Sequence, residues 1–284
     1  MEIRTDPVTG ARVAMADGRQ DRPNRPAVGC PFCVGGIEAR EPYVAKAFVN
    51  RWPSFPDDRC EVVLYTPDHD ATFWSLGVAG ARTVVDLWAE RTATLGARAD
   101  VAYVLIFENR GAEVGATIAH PHGQIFAFDD VPPAPRAELG RARAGAPLLA
   151  DAAALTVVER DGWRVWVPSA SPYPYGLRIA PLAPRPDLPA LDDAERNGLA
   201  AVLVDALARL DRLFDAPMPY MLWIHQRPTD GGAWPAARLH VEIAPPLRGP
   251  GAMRYVAAGE LGSGTFVNPV LPEHAAEQLR GAGR

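Results

Sequence analysis

Lysine is almost missing. Lys46 is the only one in 284 residues, so 28 of the 29 basic side chains are arginines. Against 34 acidic residues they leave a formal net charge of −5. That excludes a general attraction to nucleic acid or anionic membranes, and any phosphate must be met by local groups. Cysteine is scarce as well. Three cysteines, two of them in Cys30-Pro31-Phe32-Cys33, cannot make a disulfide framework. They suit a metal pair in a reducing, cytoplasmic setting. No apolar run is long enough to cross a bilayer, and Met1 to Asp6 does not read as a signal peptide. Neither a nucleic-acid nor a membrane partner is expected.

Proline, by contrast, is abundant. Its 29 copies are about twice the usual frequency. They gather in connecting stretches at 132–135, 172–174 and 184–189, which predicts stiff loops. The 48% hydrophobic and 22% charged residues are an ordinary globular balance, in a chain long enough for one large domain or two of common size.

Residues 1–35 read as an irregular, arginine-bearing lead-in. Glu61 to Tyr65 predicts a strand that ends at the turn Thr66-Pro67-Asp68-His69. Val84, Val85, Leu87, Trp88 and Leu95 recur at helical spacing, so a helix is expected over about 82–97. Val101 to Phe107 is a buried strand, followed by a glycine-rich loop and a histidine-bearing strand. The second half repeats this order. A hairpin turns at Asp161-Gly162, a strand runs from Gly176 to Ala180, and Asp192 with Glu195 predicts a capping box. Leu199, Val202, Leu203, Ala206, Leu210 and Leu213 mark the apolar face of the helix that follows. Tyr220 to His225 and Arg238 to Ile243 are the closing strands, and Pro272 opens a terminal helix. The shared order predicts an α+β fold made by internal duplication, with halves 1–150 and 151–284.

The chemistry concentrates in Ala119-His120-Pro121-His122-Gly123-Gln124. Pro121 pushes His120 towards extended backbone, and residues two apart on a strand share a face. His120, His122 and Gln124 therefore line up. Cys30 and Cys33 can grip one metal from a single turn, with His69 and His120 as candidates for the remaining tetrahedral positions. Pro23 to Gly36 offers no thioredoxin-like strand and helix, which counts against a redox pair, and Cys60 reads as core. Glu138, His225, His240 and Glu242 form a second set, readable as a metal site or as polar groups at a sheet end. A neutral imidazole is a good nucleophile towards phosphorus. Gln124, the amides of 111–117, Arg19 and Arg22 are candidates to meet the phosphate charge, and general-base chemistry at His122 stays open.

Taken together, several segments resemble the galactose-1-phosphate uridylyltransferase family of the histidine-triad superfamily. They are Arg19 to Pro23, the CPFC motif, Asn50-Arg51-Trp52-Pro53, Thr66 to His69, Phe107 to Gly111 leading into HPHGQ, Pro219 to His225, Leu239 to Glu242, Pro245 to Arg248 and Ala258 to Leu261. The resemblance implies two tandem histidine-triad-like units on an antiparallel sheet with helices packed against it, assembled as a homodimer. It implies a ping-pong exchange in which UDP-glucose uridylylates His122 and galactose 1-phosphate takes the group on as UDP-galactose. By matching position, zinc falls to Cys30, Cys33, His69 and His120. Asn50, Asn109 and Gln124 meet the nucleotide, Arg19 and Arg22 lie near it, and Glu260 reads hexose hydroxyls. Arg51, Arg254 and Tyr255 join the substrate-binding set. Glu138, His225, His240 and Glu242 match a second site for iron or zinc.

Three positions depart from the family pattern. Glu242 stands where iron-binding members carry histidine, Arg254-Tyr255 where many carry Lys-Phe, and Gly259 where a tyrosine flanks the sugar-reading glutamate. Two relatives of the same chemistry compete with the first reading: a nucleotide-sugar phosphorylase of the ADP-glucose type and a histidine-triad nucleotide hydrolase. A non-catalytic, zinc-stapled nucleotide-binding module is a reading of another class, which the intact His122 and Gln124 oppose.

Overall fold

A computed structural model of the chain describes residues 2–16, 19, 29–56 and 58–283. An N-terminal hairpin, β1 (Glu2–Thr5) and β2 (Arg12–Met15), precedes the main body. In the first half come β3 (Lys46–Val49), β4 (Cys60–Leu64), α1 (Gly77–Gly96), β5 (Tyr103–Arg110), β6 (His122–Phe128) and α2 (Pro133–Arg143). In the second come β7 (Thr156–Arg160), β8 (Trp163–Trp166), β9 (Leu177–Pro181), α3 (Asp193–Leu213), β10 (Tyr220–His225) and β11 (His240–Ala244). A small hairpin, β12 (Leu247–Gly249) and β13 (Ala252–Met253), leads to α4 (Ala258–Ser263) and α5 (Pro272–Gly281).

Nine strands form one sheet in the order β3-β4-β6-β5-β10-β11-β9-β8-β7, and every neighbouring pair is antiparallel. The order is nearly symmetric about the β5–β10 contact. Reading outwards, β5-β6-β4-β3 on one side corresponds to β10-β11-β9-β8 on the other, each with one long helix. The shared strand order of the two halves is thus laid out in a single sheet, and residue 150 lies between α2 and β7.

Alternation along the strands sorts the two faces. Val63, Ile106, Ile125, Ile224, Val241 and Ile179 are buried and pack with Val84, Trp88, Leu199, Val202 and Leu203 of α1 and α3. The face expected on α3 is therefore the one it buries, except that Leu213 at its end is only partly covered. The capping box is present. Asp192 accepts from the Glu195 amide at 2.8 Å, and Glu195 accepts from the Asp192 amide at 3.0 Å. Asp192→Ala is expected to cost about 1 kcal/mol of stability, read as a lowered urea midpoint at unchanged slope.

The lead-in is more ordered than its composition suggested, since 2–15 form the β1–β2 hairpin. Most of its side chains are exposed, so no apolar alternation marks it. The proline stretch at 132–135 also departs from expectation. Pro133 takes the first position of α2, where a missing amide hydrogen costs nothing.

The helix-side core holds a carboxyl. Glu108 is buried, and burial pushes its pKa up from 4.5 to about 7, against the opposing pull of the Tyr220 and Tyr65 hydroxyls and Arg110. Below pH 4.5 both folded and unfolded chains hold the proton. Between 4.5 and about 7 only the folded chain does, so unfolding releases a proton and stability falls as pH rises. The loss should level off above 7, at about 3 kcal/mol. Denaturant titrations of Glu108→Gln should lack this fall, so its advantage over the parent grows across that window.

Candidate functional site

The other face of the sheet carries the polar side chains. His122, Gln124 and Phe126 alternate with buried Gly123, Ile125 and Ala127 along β6, and all three project away from the helices. Leu64 pairs with His122, and both Val62 and Phe107 pair with Gln124. Asn109 sits one pleat beyond Phe107 on the same face, towards the His122 end.

Before β3 the chain coils tightly around Cys30 to Gly36. A β-carbon at Gly36 would stand 2.5 Å from the Pro31 carbonyl oxygen and 2.8 Å from those of Cys30 and Cys33, so only glycine fits the turn. Cys33 Sγ lies 3.5 Å from His69 Nδ1 and 3.7 Å from His120 Nδ1. Together with Cys30, these four donors lie within 4.8 Å of one another. His120 Nε2 donates to the Thr66 carbonyl at 2.7 Å and has the Tyr43 hydroxyl 3.0 Å away. A carbonyl can only accept, so the proton sits on Nε2 and Nδ1 presents its lone pair to the cluster. Burial also lowers the pKa of His120, which favours the neutral, ligating form. Two thiols and two imidazoles gathered in this way fit tetrahedral zinc.

His122 is oriented by the same logic. Its Nδ1 donates to the carbonyl of His120 at 2.8 Å, which places the ring's lone pair on Nε2. The Phe32 ring meets the imidazole edge-on, with centroids 5.1 Å apart. His122, Gln124, Asn50 and Arg51 line one cavity, with Thr117 and Glu38 as further polar groups and apolar walls from Phe32, Phe48, Trp52 and Ile118. Arg51 is paired to Glu38 at 2.8 Å across this lining. Arg19 hydrogen-bonds Ser54 and is not among the lining groups, and Arg22 lies outside the described residues. The sequence reading missed Phe48 because β3 itself went unread, and Tyr43 because nothing local ties it to His120.

The second set occupies the same face in the second half. His240 opens β11 as His122 opens β6, and its Nδ1 likewise donates to the carbonyl two residues back, that of Arg238, at 2.9 Å. Glu138, from α2, contacts His225 Nδ1 at 2.8 Å and His240 Nε2 at 3.7 Å, and the three donors cluster closely enough to share an ion. Glu242 stands 3.5 Å from both His240 Nε2 and Arg178 Nε. Its pKa is pulled down to about 2 by His240, Arg178 and His225 despite burial.

Arg254, Tyr255 and Glu260 are not brought to the cavity. Glu260 is buried and accepts from the amides of Ala257 and Val267, both at 2.9 Å, and from Arg254. Arg254 lies over the rings of Tyr173 and Phe266, 5.4 and 5.7 Å from their centroids, whereas Tyr255 is exposed.

Comparison with known proteins agrees with this layout. Residues 49–132 match the family model for the N-terminal domain of galactose-1-phosphate uridyl transferase, and residues 148–282 match that for its C-terminal domain. A galactose-1-phosphate uridylyltransferase of Thermotoga maritima is 34% identical over 99% of this chain and 98% of its own. One from Streptomyces lividans is 36% identical over 98% of this chain and 86% of its own. Among solved structures, one described as a uridylyltransferase superposes with a TM-score of 0.90 at 30% identity, over 100% of this chain and 98% of its own. An ADP-glucose phosphorylase from Arabidopsis thaliana shares the fold, with a TM-score of 0.81 at 24% identity over 98% of this chain and 97% of its own.

Proposed function

Because the chain belongs to the galactose-1-phosphate uridylyltransferase family, we propose that it is a hexose-1-phosphate uridylyltransferase working through a uridylyl-His122 intermediate. The observation that carries this reading is the pair of polar groups, His122 and Gln124, side by side in one cavity, with the His122 tautomer fixed by its own strand. Nε2 attacks the α-phosphorus of UDP-glucose, a new N–P bond forms, and the P–O bond to glucose 1-phosphate breaks. Once Nε2 is bonded, the ring is cationic, and the Nδ1–H bond to the His120 carbonyl becomes charge-assisted. Gln124 donates to a phosphate oxygen, while Asn50 and Asn109 meet the nucleotide and Arg51 lies beside it. A phosphate oxygen of galactose 1-phosphate then attacks, the N–P bond breaks, and UDP-galactose leaves. No general base is needed, since the attacking phosphate is already an anion.

Cys30, Cys33, His69 and His120 would hold zinc, which when bound supplies a rigid anchor for the His120 end of the strand. Glu138, His225 and His240 would hold a second ion, iron or zinc, with Glu242 shared between it and Arg178. Residues 1–150 and 151–284 are taken as the two copies of the unit. A homodimer is supported by the exposed Tyr255, Leu261, Phe266, Val267 and Leu271 of the C-terminal segment. Free thiols at all three cysteines suit the cytoplasm.

Glu260 favours a second reading of the acceptor alone. Its carboxylate already accepts from two amides and Arg254, which leaves it little capacity for hexose hydroxyls, and inorganic phosphate is the rival acceptor. One experiment tests both points. The zinc-loaded protein is incubated with UDP-glucose or ADP-glucose and its intact mass is measured. A nucleotidyl adduct is expected, and its discharge by galactose 1-phosphate, phosphate or water identifies the acceptor. The absence of any adduct would reject covalent catalysis.

A further inference from the structure

Behind the His122 strand, Gly123 turns its empty side to the helix-side core. A β-carbon there would stand 2.2 Å from the Tyr65 hydroxyl oxygen, 3.1 Å from that ring's Cζ and 3.2 Å from the Phe107 carbonyl oxygen. Gly123 is not among the glycines of positive φ, so space rather than backbone conformation demands a glycine. Tyr65 is buried and touches the motif a second time, its amide donating to the Pro121 carbonyl at 3.3 Å. Glu108, next to the Phe107 that pairs with Gln124, accepts from the Tyr220 hydroxyl at 2.7 Å and faces the Tyr65 hydroxyl as well. A phenol, a carboxyl and a second phenol are thus buried together beneath the one residue between nucleophile and phosphate donor.

We infer that Tyr65, packed beside the Glu108–Tyr220 pair, is a positioning residue for nucleotidyl transfer: its hydroxyl fills the space of the missing side chain at 123 and sets how far His122 and Gln124 project into the cavity. The inference rests on the reading of His122 as nucleophile. A displacement of about 1 Å at the reacting atoms costs on the order of 100-fold in rate, so the device need only fix the strand to a fraction of that. Binding the nucleotide, by contrast, depends on cavity walls that Tyr65 does not line.

The test is single-turnover adduct formation on full-length, zinc-loaded protein with UDP-glucose. Tyr65→Phe and Glu108→Gln should each lower the limiting rate about tenfold and leave the half-saturating concentration unchanged. Gly123→Ala should lower it about 100-fold, and adding Tyr65→Phe should recover roughly tenfold by removing the oxygen the new methyl meets. A double variant no faster than Gly123→Ala, or Gly123→Ala at the wild-type rate, would overturn the inference. Should Gly123→Ala fail to accumulate folded, the other two variants decide: limiting rates equal to wild type reject the role, and slowed rates at constant half-saturation support it. A wild-type protein that forms no adduct takes down the reading of His122 and this inference with it. A normal wild-type adduct without the pattern above rejects the positioning role alone.

Discussion

His122→Ala is expected to abolish the nucleotidyl adduct and to lower turnover by about four to six orders of magnitude. The size follows from what the residue does. Without Nε2 the reaction loses its covalent intermediate, and direct attack of one hexose 1-phosphate on the other's nucleotide would have to bring two anions together in a single step. Folding should be unaffected, because His122 is half-buried and projects from the open face of the sheet. Binding of UDP-glucose should survive, since Asn50 and Arg51 line the cavity independently of it. Intact-mass spectra, equilibrium binding and initial rates on the same preparation check the three parts. Turnover within tenfold of wild type would sink the assignment.

Cys33→Ser is the second variant with a large expected effect. It should lose one equivalent of zinc per chain by elemental analysis, lower stability by several kcal/mol, and slow adduct formation by ~100-fold. Cys33 contacts both histidines of the cluster, so the change opens it at its centre. Released from the cluster, His120 keeps its bond to Thr66 but loses its Nδ1 anchor, and the His122 backbone loses a fixed neighbour. The damage to rate is therefore positional rather than chemical. Chelation of the wild-type protein should reproduce it, and re-addition of zinc should reverse it. A zinc-free protein that still forms adduct at the normal rate would show that the cluster has no bearing on His122.

Much of this architecture could be read from residue order. Helical spacing marked α1 and α3, the Asp192–Glu195 signature placed a helix start, and the HPHGQ spacing placed His122 and Gln124 on one strand face, although His120 sits in the bend just before that strand. What escaped was whatever depends on partners distant in sequence. Tyr43 reaches His120, and Tyr65 reaches Gly123. Neither contact has a local periodic signal. Short exposed elements were also invisible. The β1–β2 hairpin buries little, and the prolines of α2 look like a loop until their place at a helix start is seen. Glu260, which its motif placed among sugar contacts, accepts from two amides within the chain, a partnership no local pattern marks.

The pairing of β5 with β10 bears on how the protein is made. Arg110 opposes Tyr220 and Ile106 opposes Ile224, so the centre of the sheet joins residues that emerge from the ribosome far apart in time. Until β10 is synthesised, the amide edge of β5 beside the histidine strand stays bare, an adhesive surface for neighbouring nascent chains. Closure of the first half thus waits on the second, which makes folding slow by topology. Slower elongation or a holding chaperone would protect the yield at that stage more than any change to the finished core.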